Sequence, residues 1–153
     1  MFIPTLFEGK IALVTGGGTG IGFAISKQLL QHGAKVYISS RKEEKLQAAV
    51  AQLSAFGPCA YIVCDIRQPE QIRAMAQQIK EREGKLDLLF NNAGGQFPST
   101  AEDMSEKGWL AVINNNLNGT WFVTQIMAQT FFIPQHSGSI INIIVNIFRG
   151  VPG

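Results

Sequence analysis

Charge is scarce in this sequence. Only 16% of its 153 residues are Asp, Glu, Lys or Arg, and 13 basic against 11 acidic residues leave a formal net charge of +2. So weak a field argues against electrostatic capture of nucleic acid or of an anionic membrane surface as the protein's business. Cysteine is nearly absent. Cys59 and Cys64 cannot frame a disulfide scaffold and stand in no metal-ligand spacing, so a reduced, cytoplasmic chain without a metal is expected. Long apolar runs are missing as well. Residues 1–7 are apolar but lack a basic flank and are broken by Pro4, which reads as an arm laid against a domain rather than a signal peptide or a membrane span.

What the chain does have is enough apolar matter for one core: hydrophobic residues make up 46% of it. The scarce charge is also unevenly spread. Of the 24 charged residues, 13 basic plus 11 acidic, only Arg149 lies beyond position 107, so residues 108–148 hold none. A membrane span fails there, because Asn114, Asn115, Asn116, Gln125, Gln129 and Pro134 interrupt every window of sufficient length. So apolar a stretch in so small a chain wants a cover from outside it. The domain, residues 1–153, is therefore expected to be incomplete on its C-terminal side.

Hydrophobic periodicity divides the chain into alternating elements. Continuous apolar runs at 10–14, 36–38, 61–63, 86–90 and 139–145 predict strands, the first of a kind buried on both faces. Between them, Ile21, Ile25, Leu29 and Leu30, then Leu46, Val50 and Leu53, then Ile72, Met75 and Ile79 recur at helical spacing, with Gly33, Gly57 and Gly84 as stops. Pro69 opens the third helix. Ser105 is a good N-cap for a fourth, running to about Phe132, with Met104 and Trp109 placed as a hydrophobic staple. Strands alternating with helices of this length predict an α/β, doubly wound parallel sheet of Rossmann type, truncated after the fifth strand.

The first strand runs directly into Thr15-Gly16-Gly17-Gly18-Thr19-Gly20-Ile21-Gly22 and then a helix. That is where a doubly wound sheet takes a dinucleotide: Gly16 for the tight turn, Gly20 for close approach of a pyrophosphate, Gly22 for helix–strand packing. The spacing is not G-x-G-x-x-G, and the Gly-Lys-Ser/Thr of a P-loop is absent. The pattern resembles the short-chain dehydrogenase/reductase family, whose signature at this place is T-G-x-x-x-G-x-G. Asn91-Asn92-Ala93-Gly94, Cys64-Asp65-Ile66, Asn116-Leu117-Asn118-Gly119 and Gly138-Ser139-Ile140-Ile141-Asn142 match further family motifs in the family's order. Asn91 to Phe97, Gly108-Trp109 and Ile141 to Val145 are similar to the branch that contains peroxisomal trans-2-enoyl-CoA and 2,4-dienoyl-CoA reductases, so a peroxisomal address also stays open.

The resemblance implies a nicotinamide cofactor held by Gly16, Gly18, Thr19, Gly20, Ile21, Gly22, Asp65, Ile66, Asn92, Ala93 and Gly94. At the end of the second strand Ser40-Arg41-Lys42 stands where an acid would chelate the ribose hydroxyls of NAD. Ser40 and the fork of Arg41 favour the 2′-phosphate of NADP(H). It implies hydride transfer to or from a carbonyl or enoyl substrate, possibly an acyl-CoA thioester. Of the catalytic set only Asn116 has a match. The serine position falls on Val145, and the Tyr and Lys positions lie past residue 153. Gln96 and Phe97 are candidates for facing the nicotinamide or substrate, loop packing being equally compatible. The intact protein is expected to be a homo-oligomer paired through the fourth helix, and the chain as given to bind cofactor weakly and turn nothing over. The alternative is a non-catalytic nucleotide-binding module of the same fold.

Overall fold

A strand with no polar side before its last residue is stable only between two covered faces. In the computed structural model, which describes residues 3–144, the segment Ile-Ala-Leu-Val-Thr is β1 (Ile11–Thr15), buried throughout. Its side chains alternate between two cores: Ile11 and Leu13 enter one, Ala12 and Val14 the other. It is flanked by β2 (Lys35–Ser40) and β4 (Leu88–Asn91), with β3 (Cys59–Val63) and β5 (Ser139–Asn142) outside them. The order is β3-β2-β1-β4-β5 and every pairing is parallel. Helices α1 (Gly20–Gln31) and α2 (Glu43–Leu53) cover the Ala12 face through Leu29, Leu30, Leu46, Ala49 and Leu53. Helices α3 (Pro69–Glu83) and α5 (Gly119–Met127) cover the Leu13 face through Ile72, Met75, Ile79, Val123, Ile126 and Met127. The sheet is the doubly wound, Rossmann-type one that the periodicity predicts.

The strands differ from expectation mainly at their ends. β2 runs through Ser39 and Ser40, poor strand formers carried by the ladders, Ser39 between β1 and β3 and Ser40 against β3. β4 starts at Leu88 because Asp87, before it, turns its carboxylate to the Ile11 N–H (2.9 Å), with Lys10 and Lys85 closing the charge at 3.2 and 3.3 Å. β5 ends at Asn142, and Val145 lies outside the described residues.

The fourth helical stretch begins as expected, Ser105 Oγ accepting the Gly108 N–H at 3.0 Å before α4 (Glu106–Ile113). It is not an unbroken α-helix. Two π turns, Asn114–Asn118 and Ala128–Phe132, separate α4, α5 and α6 (Ile133–Gln135). Gln135 then docks its amide on Leu86, accepting the N–H at 3.1 Å and donating to the C=O at 2.9 Å, as a neighbouring strand would. Trp109 does not act as a buried staple: it is 56% exposed, and the ring on the first turn is that of Phe97, lying against Gly108. The N-terminal arm is docked only in part. Phe7 packs on the Ala12-side core, whereas Ile3 and Leu6 are exposed. Among the described residues no helix is long and apolar enough to cross a membrane.

Candidate cofactor cleft

The order in which strands are added reverses between β1 and β4, from one edge of the sheet to the other, and the crevice at the carboxyl ends of the strands at such a point is where ligands bind. A cleft of about 550 Å³ opens there. Its lining joins the turn after β1 (Gly16, Gly18, Thr19, Gly20, Ile21), the end of β2 (Ser39, Ser40, Arg41), the segment after β3 (Cys64, Asp65, Ile66) and that after β4 (Asn92, Ala93, Gly94). All the cofactor residues expected from the sequence line it except Gly22. That residue lies beneath the floor: a Cβ there would run into the Gly16 carbonyl and come within 2.5 Å of Asn92 Nδ2. Gly16 itself adopts φ +66°, and its N–H donates to Ser39 O at 2.7 Å.

Two turns far apart in sequence are stitched together under this floor. Thr15 Oγ1 accepts the N–H groups of Asn92 and Ala93, both at 3.0 Å, and donates to Phe90 O at 3.3 Å. Asn92 Nδ2 returns the connection, donating to the carbonyls of Thr15 (3.0 Å) and Gly16 (3.3 Å). Asn91 Nδ2 bridges Thr124 Oγ1 and Asn142 Oδ1, each at 2.8 Å, tying β4 to α5 and β5. The site fits a dinucleotide. The first turn of α1 has neither a capping side chain nor an acid, so its free N–H groups are open to an anion, and Gly16 and Gly22 leave the space that side chains would fill.

One corner of the cleft is strongly cationic. Arg41, Lys42 and Lys45 line it, and none of their side chains makes a hydrogen bond or ion pair among the described residues. The sequence points to Arg41 and Lys42 at this corner; Lys45, one helical turn on, joins them in the structure. On the same wall Asp65 is bound by Arg67, which holds its carboxyl below the usual range, with Arg41 adding to the effect. Burial pushes the Cys64 thiol up to about 12, helped by the nearby Asp65 charge, so it stays protonated and inert at neutral pH.

Asn116 lies in the first π turn and does not line the cleft. Its Oδ1 accepts the Gly95 N–H (3.1 Å), and its Nδ2 donates to the carbonyls of Gly95 (2.8 Å) and Val112 (2.9 Å), which fastens the loop after β4 to the helix. The neighbouring Asn115 lines the cleft instead. Gln96 and Phe97 border a smaller cavity of about 190 Å³ together with Arg41, Arg67 and Asn115. The two tyrosines stay away from the cleft. Tyr37 donates to the Glu83 carboxylate, its own pKa pushed up to about 12 first by burial, and Tyr61 donates to Glu43 at 3.0 Å.

Comparison with known proteins agrees with this geometry. The profile of the short chain dehydrogenase family matches residues 10–149. Peroxisomal 2,4-dienoyl-CoA reductase of Danio rerio is 35% identical over 153 residues, covering 98% of this chain and 51% of that protein. The 3-oxoacyl-[acyl-carrier-protein] reductase of Thermotoga maritima is 36% identical over 149 residues, covering 95% of this chain and 60% of that one. Among solved structures, the citronellol catabolism dehydrogenase of Pseudomonas aeruginosa superposes with a TM-score of 0.93 at 34% identity, covering 100% of this chain and 63% of its own. An actinorhodin polyketide ketoreductase with NADPH superposes with a TM-score of 0.84 at 31% identity, covering 87% and 52%. The chain spans about half the length of the curated relatives it matches most fully. A glycine-rich turn stitched to Asn91-Asn92-Ala93-Gly94 on a β3-β2-β1-β4-β5 sheet, matched by the family profile over nearly all its length, places this chain in the short-chain dehydrogenase family of oxidoreductases.

Proposed function

We propose that this chain is the cofactor-binding part of an NADP(H)-dependent reductase that acts on an enoyl thioester or a related carbonyl compound. The observation that carries the reading is the unpaired Arg41–Lys42–Lys45 corner beside Ser40, where a hydroxyl and three cations line the cleft and the end of β2 carries no acid to chelate a free ribose. In this reading the free N–H groups at the start of α1 hold the pyrophosphate, Asp65 and Ile66 border the adenine, and Arg41 takes the 2′-phosphate. The bound dinucleotide supplies a hydride. Asn116 orders the loop after β4, so that Gly94 and Gly95 keep a fixed wall beside the nicotinamide, and Gln96 and Phe97 lie on the substrate side of that loop. The 2,4-dienoyl-CoA reductases among the relatives favour an acyl-CoA substrate.

Proton donation is the step this chain does not provide for. Tyr37 and Tyr61, its two tyrosines, are both committed to glutamates away from the cleft, and Val145 at the family's serine position has no hydroxyl to offer. A positioned general acid is worth roughly 10²–10⁴-fold in rate. The 153-residue chain alone is therefore expected to bind without turnover. The test is a fluorescence titration with NADPH and with NADH, followed by an assay with a crotonyl-type thioester. NADPH should bind at least about tenfold more tightly, and Arg41→Ala should remove most of that difference. Equal dissociation constants in the wild type overturn the NADP(H) reading. Turnover above the blank overturns the proposal that the donor is lacking.

A further inference from the structure

Asp65 is bound by one arginine and shares the cleft wall with a second. Its side chain is 17% exposed and accepts every one of its hydrogen bonds from Arg67: the backbone N–H at 3.0 Å, Nε to the two oxygens at 2.9 and 3.1 Å, and Nη2 at 2.5 Å. Arg41 makes no hydrogen bond or ion pair among the described residues, yet its charge reaches the same carboxylate. Arg41 and Asp65 line the cleft together, and Arg41 and Arg67 line the adjoining smaller cavity. One carboxylate is thus held by one forked cation and lies in the field of another that lines the same cleft, and a guanidinium takes a carboxylate or a phosphate with the same bidentate geometry. If Asp65 turned to Arg41, it would occupy the fork that a 2′-phosphate needs.

We infer that Arg67 is a positioning residue that clamps Asp65 and so keeps Arg41 free for a phosphorylated ribose; this rests on the NADP(H) reading above. The local chain makes the clamp inexpensive. Asp65 and Arg67 are two residues apart, the Asp65 N–H donates to Gln71 Oε1 at 2.8 Å, and Asp65 O accepts the Gln68 N–H at 2.9 Å. Those bonds fix the turn into α3 at both ends, so little side-chain freedom remains to be lost when the fork closes. A cation just ahead of a helix N-terminus is mildly disfavoured by the helix dipole, so a solvated face gives no reason for an arginine here.

A double-mutant cycle on the 153-residue chain tests this: wild type, Arg67→Ala, Asp65→Asn and the double variant, each titrated with NADPH and NADH at one ionic strength. Binding of NADH reports that the cleft is intact, and the NADPH/NADH affinity ratio reports the clamp. Arg67→Ala should lower that ratio about tenfold in the wild-type background, where the freed Asp65 pairs with Arg41, and by less than about twofold when residue 65 is Asn. The long-range field of one more cation would change the ratio equally in both backgrounds, so additivity together with a wild-type preference for NADPH overturns this inference alone. Arg67→Lys keeps the charge without the fork and should also lose the preference. If it retains the wild-type ratio the clamp is overturned, even should the alanine variant fail to fold. Equal wild-type affinities for the two cofactors overturn the NADP(H) reading and this inference with it.

Discussion

The hydroxyl of Thr15 shows how much one buried atom can organise. It accepts two backbone N–H groups from the segment after β4 while its own residue is 1% exposed. Valine has the same shape without the oxygen, so Thr15→Val leaves both amides without that acceptor, at about 1–3 kcal/mol for each unsatisfied group. We expect urea denaturation to report a loss of about 2–4 kcal/mol, with weakened cofactor binding, whereas Thr15→Ser retains the acceptor and most of the stability. Wild-type stability in the valine variant would contradict this account. Such a link marks the limit of what the sequence shows. Gly16, Gly18, Thr19, Gly20, Ile21, Ser40, Arg41, Asp65 and Asn92 were legible as lining because their motifs sit at strand ends. That Thr15 serves Asn92 and Ala93 and that Arg67 holds Asp65 depend on pairings and rotamers that no spacing encodes.

At the scale of elements, type and order were readable and geometry within them was not. The β-α alternation follows from apolar periodicity, but two π turns in the stretch from Ser105 onward leave no periodic trace, since each shifts the helix register over only a few residues. The consequence is local and chemical: the first of them sets Asn115 at the cleft and Asn116 on Gly95. The starts of two strands are held by charge. Burial alone would raise the Asp87 carboxyl, but the Ile11 amide, Lys10 and Lys85 hold it below its ordinary 3.8. Burial likewise opposes ionisation of Glu83, and Lys35 and Tyr37 outweigh it, holding it below 4.5. A carboxyl lowered in the folded state contributes stability that is complete above its unfolded value and is lost as pH falls through the folded one. Unfolding free energy should therefore be level down to about pH 5 and decline below about pH 4. Asp87→Asn should be less stable than wild type at pH 7, with the gap closing as pH falls from about 5 to about 2. A gap independent of pH would show that the Asp87 charge does not anchor the start of β4.

Across the whole molecule, the apolar excess that follows position 107 divides in two among the described residues. Val123, Ile126, Met127 and Phe131 are buried on the sheet and α3, which accounts for much of what the sequence suggested for an oligomer interface. Leu117 and Trp121 remain 62% and 58% exposed on the outer side of the same helical stretch, and Trp109 and Ile133 add to them. A patch of that kind drives association when nothing covers it. Sedimentation of the 153-residue chain should show a weight-average mass that rises with concentration, and Leu117→Glu with Trp121→Glu should move it toward the monomer. A concentration-independent monomer in the wild type would rule out this surface as an association site.

The strand order also sets a timetable. β1 is made first, and β2 and β3 can join it while the chain is still short. The Thr15 hydroxyl, however, waits 77 residues for the Asn92 amide that completes the floor of the cleft. Parallel pairing at that separation closes a long loop before any contact rewards it, and it is the slow part of assembly. A dinucleotide that rests on that floor is therefore held better by the finished sheet than by a half-made one. It leaves the speed of folding alone and lengthens the life of each molecule that has arrived.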